Sequence, residues 1–272
     1  MPAQPVARRP GRASWHGKDE LDKAIADYDA AIRLDPKYVL AINNRGAALH
    51  DKGELDKAIA DYDEAIRLDS TNVQAHNNRG GTLCQRGDFD KAIADFDEAI
   101  RLDPKYSNAF ANRAAAWDAK GELDKALADY AEAIRLDPRN VWALIKRGDT
   151  WYRKGDFKEA LADYDKAIDI DPKSMEAHGA RAWLRATCPD EAYRGGAKSV
   201  EDATKASELA DRKDSDMLDT LAAAYAESGQ FDKAVESQEK AIELAPEDEK
   251  EEYRSRLKLY QEGKPYRVRP KN

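Results

Sequence analysis

The sequence is short of nearly everything that builds a catalytic or secreted protein. It has two cysteines in 272 residues, Cys84 and Cys188, far apart in the chain. That is neither a disulfide framework nor a zinc site, and a reducing cytoplasm is the predicted compartment. Four histidines fall at no ligand spacing. There is no G-x-S-x-G, no P-loop, no H-E-x-x-H and no C-x-x-C, so no enzymatic activity, cofactor or metal is predicted. Asp-rich stretches such as Asp88, Asp90, Asp95 and Asp97 lack the glycine and terminal glutamate of a calcium loop. No run approaches the roughly eighteen apolar residues of a membrane span. Residues 1–18 carry arginines without an apolar stretch, which is not a secretory signal. Aromatics make up only 8%.

Charge and helix formers fill the space instead. Charged residues are 36% of the chain, with 53 acids against 45 bases. Eight of the bases lie at the ends: Arg8, Arg9, Arg12 and Lys18, then Lys264, Arg267, Arg269 and Lys271. Neither end has an acid, so the body between them is strongly acidic. Such a body is a poor binder of nucleic acid or anionic membrane, and neither partner is predicted. The two basic ends, 1–18 and 263–272, are expected to be solvated. Ala, Leu, Asp, Glu, Lys and Arg dominate, a composition that favours helix.

The body repeats. AIRLDPKY, AIRLDSTN, AIRLDPKY, AIRLDPRN and AIDIDPKS place Pro36, Ser70, Pro104, Pro138 and Pro172 at intervals of 34. Ala24, Ala58, Ala92, Ala126 and Ala160 share the interval. So do Tyr28, Tyr62, Phe96, Tyr130 and Tyr164, and Ala31, Ala65, Ala99, Ala133 and Ala167. In the second unit a helix A is predicted over 39–51 and a helix B over 55–67, with Gly53 between them as a stop. Counting each unit from Val39 and turning 100° per residue, positions 3, 4, 7, 8, 10, 11 and 14 of helix A share one side. That side holds Ala41, Ile42, Gly46, Ala48 and Leu49, a packing face.

The 34-residue period, with Ala, an aromatic four later, Ala and then Pro, resembles the tetratricopeptide repeat (TPR) of bacterial proteins across residues 19–246. The resemblance implies an all-α fold: a right-handed superhelical solenoid of about seven helix-turn-helix units, the first degenerate. The sixth unit has an A–B loop about five residues longer, around 188–196, with helix B resuming over 197–210. A capping helix is predicted over 247–262. The stretch from RAWLRATCPDEAYRGG through GKPYR resembles a closing module of planctomycete-like TPR proteins.

Two columns depart from the family pattern. The usual Trp slot holds Ile42, His76, Phe110 and Leu144, and the usual Leu slot holds Arg45, Arg79, Arg113, Arg147 and Arg181. An arginine in a packing face needs a partner. Helix B supplies an acidic column: Asp27, Asp61, Asp95, Asp129 and Asp163. A structural role is expected, with packed stems and heads on carboxylates. His76 and His178 fill the packing slot. Cys84 falls on the open face with no base nearby.

The resemblance further implies that helices A line a concave groove and that positions 2, 5, 6, 9, 12 and 13 meet a ligand. Position 6 reads Asn44, Asn78, Asn112 and Lys146, and position 5 adds Asn43 and Asn77. Two readings of the asparagine row stand. An amide donates and accepts, so a row can pair with the main chain of an extended peptide; or duplication copied a harmless residue. In the fifth unit Trp142, Lys146, Asp149, Tyr152 and Arg153 suit an anchor for an acidic or apolar side chain or a carboxylate. The family's carboxylate clamp is matched there only in part.

The sequence therefore predicts a scaffold or adaptor that holds an extended segment of a protein partner. The alternative is a structural protein that dimerises or stacks through its N-terminal end. There helix B of the first unit, over 20–33, lacks a full helix A, because Pro10 and Gly11 interrupt it. Trp15 matches Trp117 and Trp151 in register, so a last turn of helix A is expected at 15–18, with Trp15 and Tyr28 as candidate dimer contacts.

Overall fold

Three short-range devices shape the helices of the computed structural model, which describes residues 15–268, with side chains from Glu20 onward. Helix A ends at a glycine in the left-handed conformation: Gly53, Gly87, Gly121 and Gly155 have φ between 81 and 91°. The following amide reaches back, as Asp88 N does to Leu83 O at 2.9 Å, closing the last turn. Helix B ends at an aspartate whose side chain accepts from the amide two residues on, as in Lys105 N to Asp103 Oδ1 at 2.9 Å. Thr71 N meets Asp69 Oδ1 in the same way at 3.0 Å, although Ser70 replaces the proline there. The aspartate thus shapes the turn with or without proline. Asn72, Asn140 and Ser174 cap the next helix A by accepting from the amide three residues ahead.

Among the described residues these devices yield fourteen α-helices, in two compact units. The first unit, residues 15–138, holds α1 (Trp15–Leu34), α2 (Val39–Asp51), α3 (Leu55–Leu68), α4 (Val73–Arg86), α5 (Phe89–Leu102), α6 (Ser107–Ala119) and α7 (Leu123–Leu136). The second, residues 139–268, holds α8 (Val141–Lys154), α9 (Phe157–Ile170), α10 (Met175–Thr187), α11 (Gly196–Leu209), α12 (Ser215–Glu227), α13 (Phe231–Leu244) and α14 (Lys250–Gln261). A single 3-10 turn, Glu191–Tyr193, fills the long loop before α11. Even-numbered helices from α2 to α12 are helices A, and each packs on the helix B that follows it.

The core is built from small residues and one ring per hairpin. Ala58, Ala65, Ala92, Ala99, Ala126 and Ala133 are fully buried in the first unit, Ala160 and Ala167 in the second. Tyr62, Phe96, Tyr130 and Tyr164 are buried too. A Cβ on Gly80 would lie 2.6 Å from the Phe96 ring, and one on Gly148 would lie 2.5 Å from Tyr164. These glycines bring helix A down onto the ring of helix B.

The first helix corrects one expectation. No turn separates a last piece of helix A from helix B at residues 15–18; α1 runs unbroken from Trp15. The stop is missing because Asp19 occupies the register of Gly53 and Gly87. The side chain of Trp15 lies outside the described residues. Ala24 and Ala31 of α1 are half-exposed, whereas their counterparts Ala58 and Ala65 are fully buried. A second correction concerns the C-terminal end. Residues 264–268 are not a solvated end but an extended segment laid against α10 and α12, with Val268 N donating to Thr187 O at 3.0 Å.

Candidate protein-binding surface

The arginine column lies between helices. Arg45 forks onto Asp61 of its own helix B, Nε to Oδ2 at 2.8 Å and Nη2 to Oδ1 at 2.6 Å. Its remaining nitrogen, Nη1, reaches Asp29 of the preceding helix B at 2.6 Å. Arg79 holds Asp95 and Asp63 in the same way, and Arg113 holds Asp129 and Asp97. In the second unit Arg147 forks onto Asp163, and Arg181 onto Asp202 with Asp165 as its second acid. Own-unit partners lie 16 residues ahead until Arg181, where the step is 21. The longer loop absorbs the difference.

Burial alone would push the Asp95 carboxyl up, but Arg79 and then His76 hold it below its ordinary value. Hydrogen bonds to carboxylates, with that to Asp61 the largest influence, raise the Arg45 pKa further. Arg45, Arg79, Arg113 and Arg181 are thus each held by two carboxylates, whereas Arg147 forks onto Asp163 alone, with Ala131 in the register of the second acid. Asp27 shows the converse: in the repeat register of the sequence its arginine is replaced by Gly11, and the Asp27 side chain is exposed.

The two packing-slot histidines are likewise absorbed. His76 Nε2 lies 3.2 Å from Ser70 O, and His178 Nδ1 lies 3.2 Å from Asp202 Oδ1. Cys84 does not stand open. It packs beside Leu83, Phe89 and Trp117, and burial pushes its thiol up to about 11.

The asparagines of the first unit come together across repeats. Asn78 Nδ2 donates to Asn43 Oδ1 at 3.4 Å, and Asn112 Nδ2 donates to Asn77 Oδ1 at 3.0 Å. Asn43 also donates to Asn44 Oδ1 at 3.4 Å. Asn43 is only 3% exposed and Asn77 only 7%, so both are buried supports of the row. Asn77, Asn78 and Asn112 line a cleft of about 220 Å³ with Gly81, His50 and Asp51. A Cβ on Gly81 would meet no atom within 4 Å, so this glycine leaves open space. His50 Nδ1 lies 2.9 Å from Thr82 Oγ1, which in turn donates to Asn78 O at 2.9 Å, tying the cleft wall across two repeats.

The fifth-unit patch is less uniform than its sequence implies. Trp142 is 43% exposed. Lys146 donates to Asp149 Oδ2 at 3.1 Å, and Tyr164 donates to the other oxygen of Asp149 at 2.9 Å. Tyr152 turns into the packing, edge-on to Phe157 at 5.7 Å, and burial pushes its hydroxyl up to about 12. It is therefore a wall residue. Arg153 is half-buried.

Three features escaped sequence reasoning. One is the second acidic column, Asp29, Asp63, Asp97 and Asp165, legible only once three helices are known to share one arginine. Another is Arg256 of α14, 3% exposed and bound to Asp219 at 2.8 Å. Its guanidinium lies 5.0 Å from the Tyr253 ring and 5.5 Å from those of Trp183 and Tyr266. The third is the docked segment 264–268. RAWLRA and GKPYR, both parts of the closing module, meet through Trp183 and Tyr266.

Stacked helical hairpins with a polar helix-A face define the class of helical-repeat proteins that offer surfaces to other chains. Comparison with known proteins agrees. Family models described as TPR repeat match residues 18–53 and 46–83, and models described as tetratricopeptide repeat match 73–106, 115–174 and 216–248. The chain belongs to the tetratricopeptide repeat family. No curated protein matches it. Among solved structures, MamA is 27% identical with a TM-score of 0.51, over 58% of this chain and 92% of that one. A tetratricopeptide repeat protein from Parabacteroides merdae is 17% identical with a TM-score of 0.60, over 90% and 93% of the two chains. The APC/C hetero-tetramer Cut9-Hcn1 gives 15% and 0.70, over 89% and 46%. The last two speak for the fold alone. No helix among the described residues is long and apolar enough to cross a membrane.

Proposed function

We propose that this protein is a binding scaffold that holds an extended segment of a partner protein along the helix-A face of its first unit, without catalysis. The observation that carries this reading is the linked amide row beside an open cleft. Asn78 and Asn112 each spend one N–H on a buried neighbour, which fixes the plane of the amide. The oxygen and second N–H of each remain for a main chain, whose donors and acceptors they match whatever its side chains. Gly81 leaves room for the backbone to approach. The cleft wall carries Asp51 and no Lys or Arg, which favours a neutral or basic segment.

The test uses a partner captured from native lysate, identified by mass spectrometry and then purified. Asn78→Ala with Asn112→Ala should weaken its binding by about 0.5–1.5 kcal/mol per lost hydrogen bond, with stability held or slightly raised. Gly81→Leu should block binding outright while stabilising α4, since leucine is the better helix former. Lost stability with unaltered binding would mean that the asparagines are structural.

The half-exposed Ala24 and Ala31 support a second reading, weak pairing of two copies through α1 around Tyr28. Light scattering over a wide concentration range tests it. A strict monomer, unchanged by Tyr28→Glu, ends it.

A further inference from the structure

The segment that follows α14 has the contacts of a bound peptide. Gly263, at φ 68°, turns the chain, and residues 264–268 then run without helix or strand. Tyr266 sits 5.9 Å from the Trp183 ring, centroid to centroid. Arg267 pairs with Glu227 and donates through Nη1 to Ala186 O at 3.1 Å. Val268 N donates to Thr187 O at 3.0 Å. In repeat register Trp183, Ala186 and Thr187 stand at positions 9, 12 and 13 of helix A, all on the ligand face. One stretch of chain thus places an aromatic ring, a cation and a main-chain donor on that face, a set of contacts that peptide recognition commonly uses.

The site is also built to survive opening. Glu227 is shared between Arg267 and Arg194, whose Nε lies 3.4 Å away. Losing Arg267 would leave that carboxylate paired, so no buried charge is orphaned. Pro265, Tyr266, Arg267 and Val268 all stay half-exposed, so the segment lies in the surface and not beneath it.

We propose that the α10–α12 surface of the second unit is a peptide site for segments of the form Pro-aromatic-Arg-β-branched. Residues 265–268 hold it closed in cis, and a partner segment of that chemistry must displace them. This goes beyond the binding reading above, because the site lies in the other unit and is regulated by the chain itself. A tether this short gives the internal segment an effective concentration on the order of millimolar, so a micromolar competitor is excluded while it is docked.

The experiment compares the full-length wild-type chain with a full-length Tyr266→Ala, Arg267→Ala variant. The probe is a fluorescent peptide copying residues 264–272, followed by anisotropy. The variant should bind it at least about tenfold more tightly than the wild type. Equal binding by both chains, or no binding by a variant that circular dichroism shows to be folded, overturns the proposal. Should the variant fail to fold, hydrogen exchange on the wild type decides. The Val268 amide is expected to exchange by local opening, well before the core amides of α10. Exchange only with global unfolding overturns the proposal. Asn78 and Asn112 play no part in these readings, so failure here leaves the first-unit reading untouched.

Discussion

Replacing Arg113 with alanine removes a charge that three helices share. Arg113 on α6 makes two bonds of 2.7 Å to Asp129 on α7 and one of 2.5 Å to Asp97 on α5. Its guanidinium also lies 5.6 Å from the Phe110 ring. The two acids differ. Asp129 has a side chain 12% exposed and Asp97 one 55% exposed. Stranding a buried carboxylate costs about 3–5 kcal/mol, and the lower half of that range applies because the Arg113 pocket is partly open. The exposed Asp97 pair adds less than about 1 kcal/mol. The expected loss is therefore about 3–4 kcal/mol, a fall in melting temperature of roughly 6–16 °C. Arg113→Met keeps the stem against the helices and should recover about 1 kcal/mol of it. Urea unfolding followed by circular dichroism gives the total. Hydrogen exchange shows whether α6 and its two neighbours lose protection together, as a shared staple requires. The internal control is Asp27→Asn, which should fall within about 0.5 kcal/mol of wild type because that side chain is exposed. A loss below about 1 kcal/mol in Arg113→Ala, or an equal loss in Asp27→Asn, would refute the assignment.

Other outcomes follow from the same geometry. The Asp95 pKa is lower folded than unfolded, so its contribution is complete above its unfolded value, near 4, and is lost as pH falls through the folded value. Urea midpoints should decline below about pH 4, and Asp95→Asn should flatten part of that decline. Cys84, with its thiol pushed up to about 11, should react slowly with a disulfide reagent at pH 8 in the folded chain and quickly in urea. Arg256→Ala should cost about 3–5 kcal/mol by leaving the buried Asp219 carboxylate with the Gln238 amide but no opposite charge, and exchange protection should vanish first in α14.

Repeat period, helix boundaries and core columns were legible because they depend on neighbours three to five residues away. Val39–Asp51 and Leu55–Leu68 match the stretches predicted from glycine and proline punctuation to within a residue. The capping helix was legible in kind, though it starts at Lys250, past the helix-disfavouring Pro246. What escaped depends on distance along the chain. That Asp29 and Asp61 converge on Arg45 requires the stacking of three helices, which a single-helix wheel does not contain. The asparagine row was visible as a column, but its internal bonding was not. Hence the burial of Asn43, at 3% exposed, was not legible either. At α1 the relevant signal was present: Asp19 fills the stop-glycine register, and an unbroken helix follows. At the other end, a short basic stretch reads as solvated until Trp183 and Glu227, some forty to eighty residues earlier, are seen to receive it.

The arginine staples bear on how such a chain can grow. The staples at Arg45, Arg79, Arg113 and Arg181 each draw one acid from their own block and one from the block before, whereas Ala131 stands in the register of the second acid for Arg147. A copied block brings its own arginine, the forked acid for that arginine and the second acid for whichever block follows. Insertion of a whole block that carries both acids therefore leaves its charges matched, whereas insertion within a helix would shift an arginine past both partners. The loop that adds five residues between Arg181 and Asp202 marks where the scheme tolerates irregular length. Lengthening by duplication keeps the electrostatics in register without any further substitution.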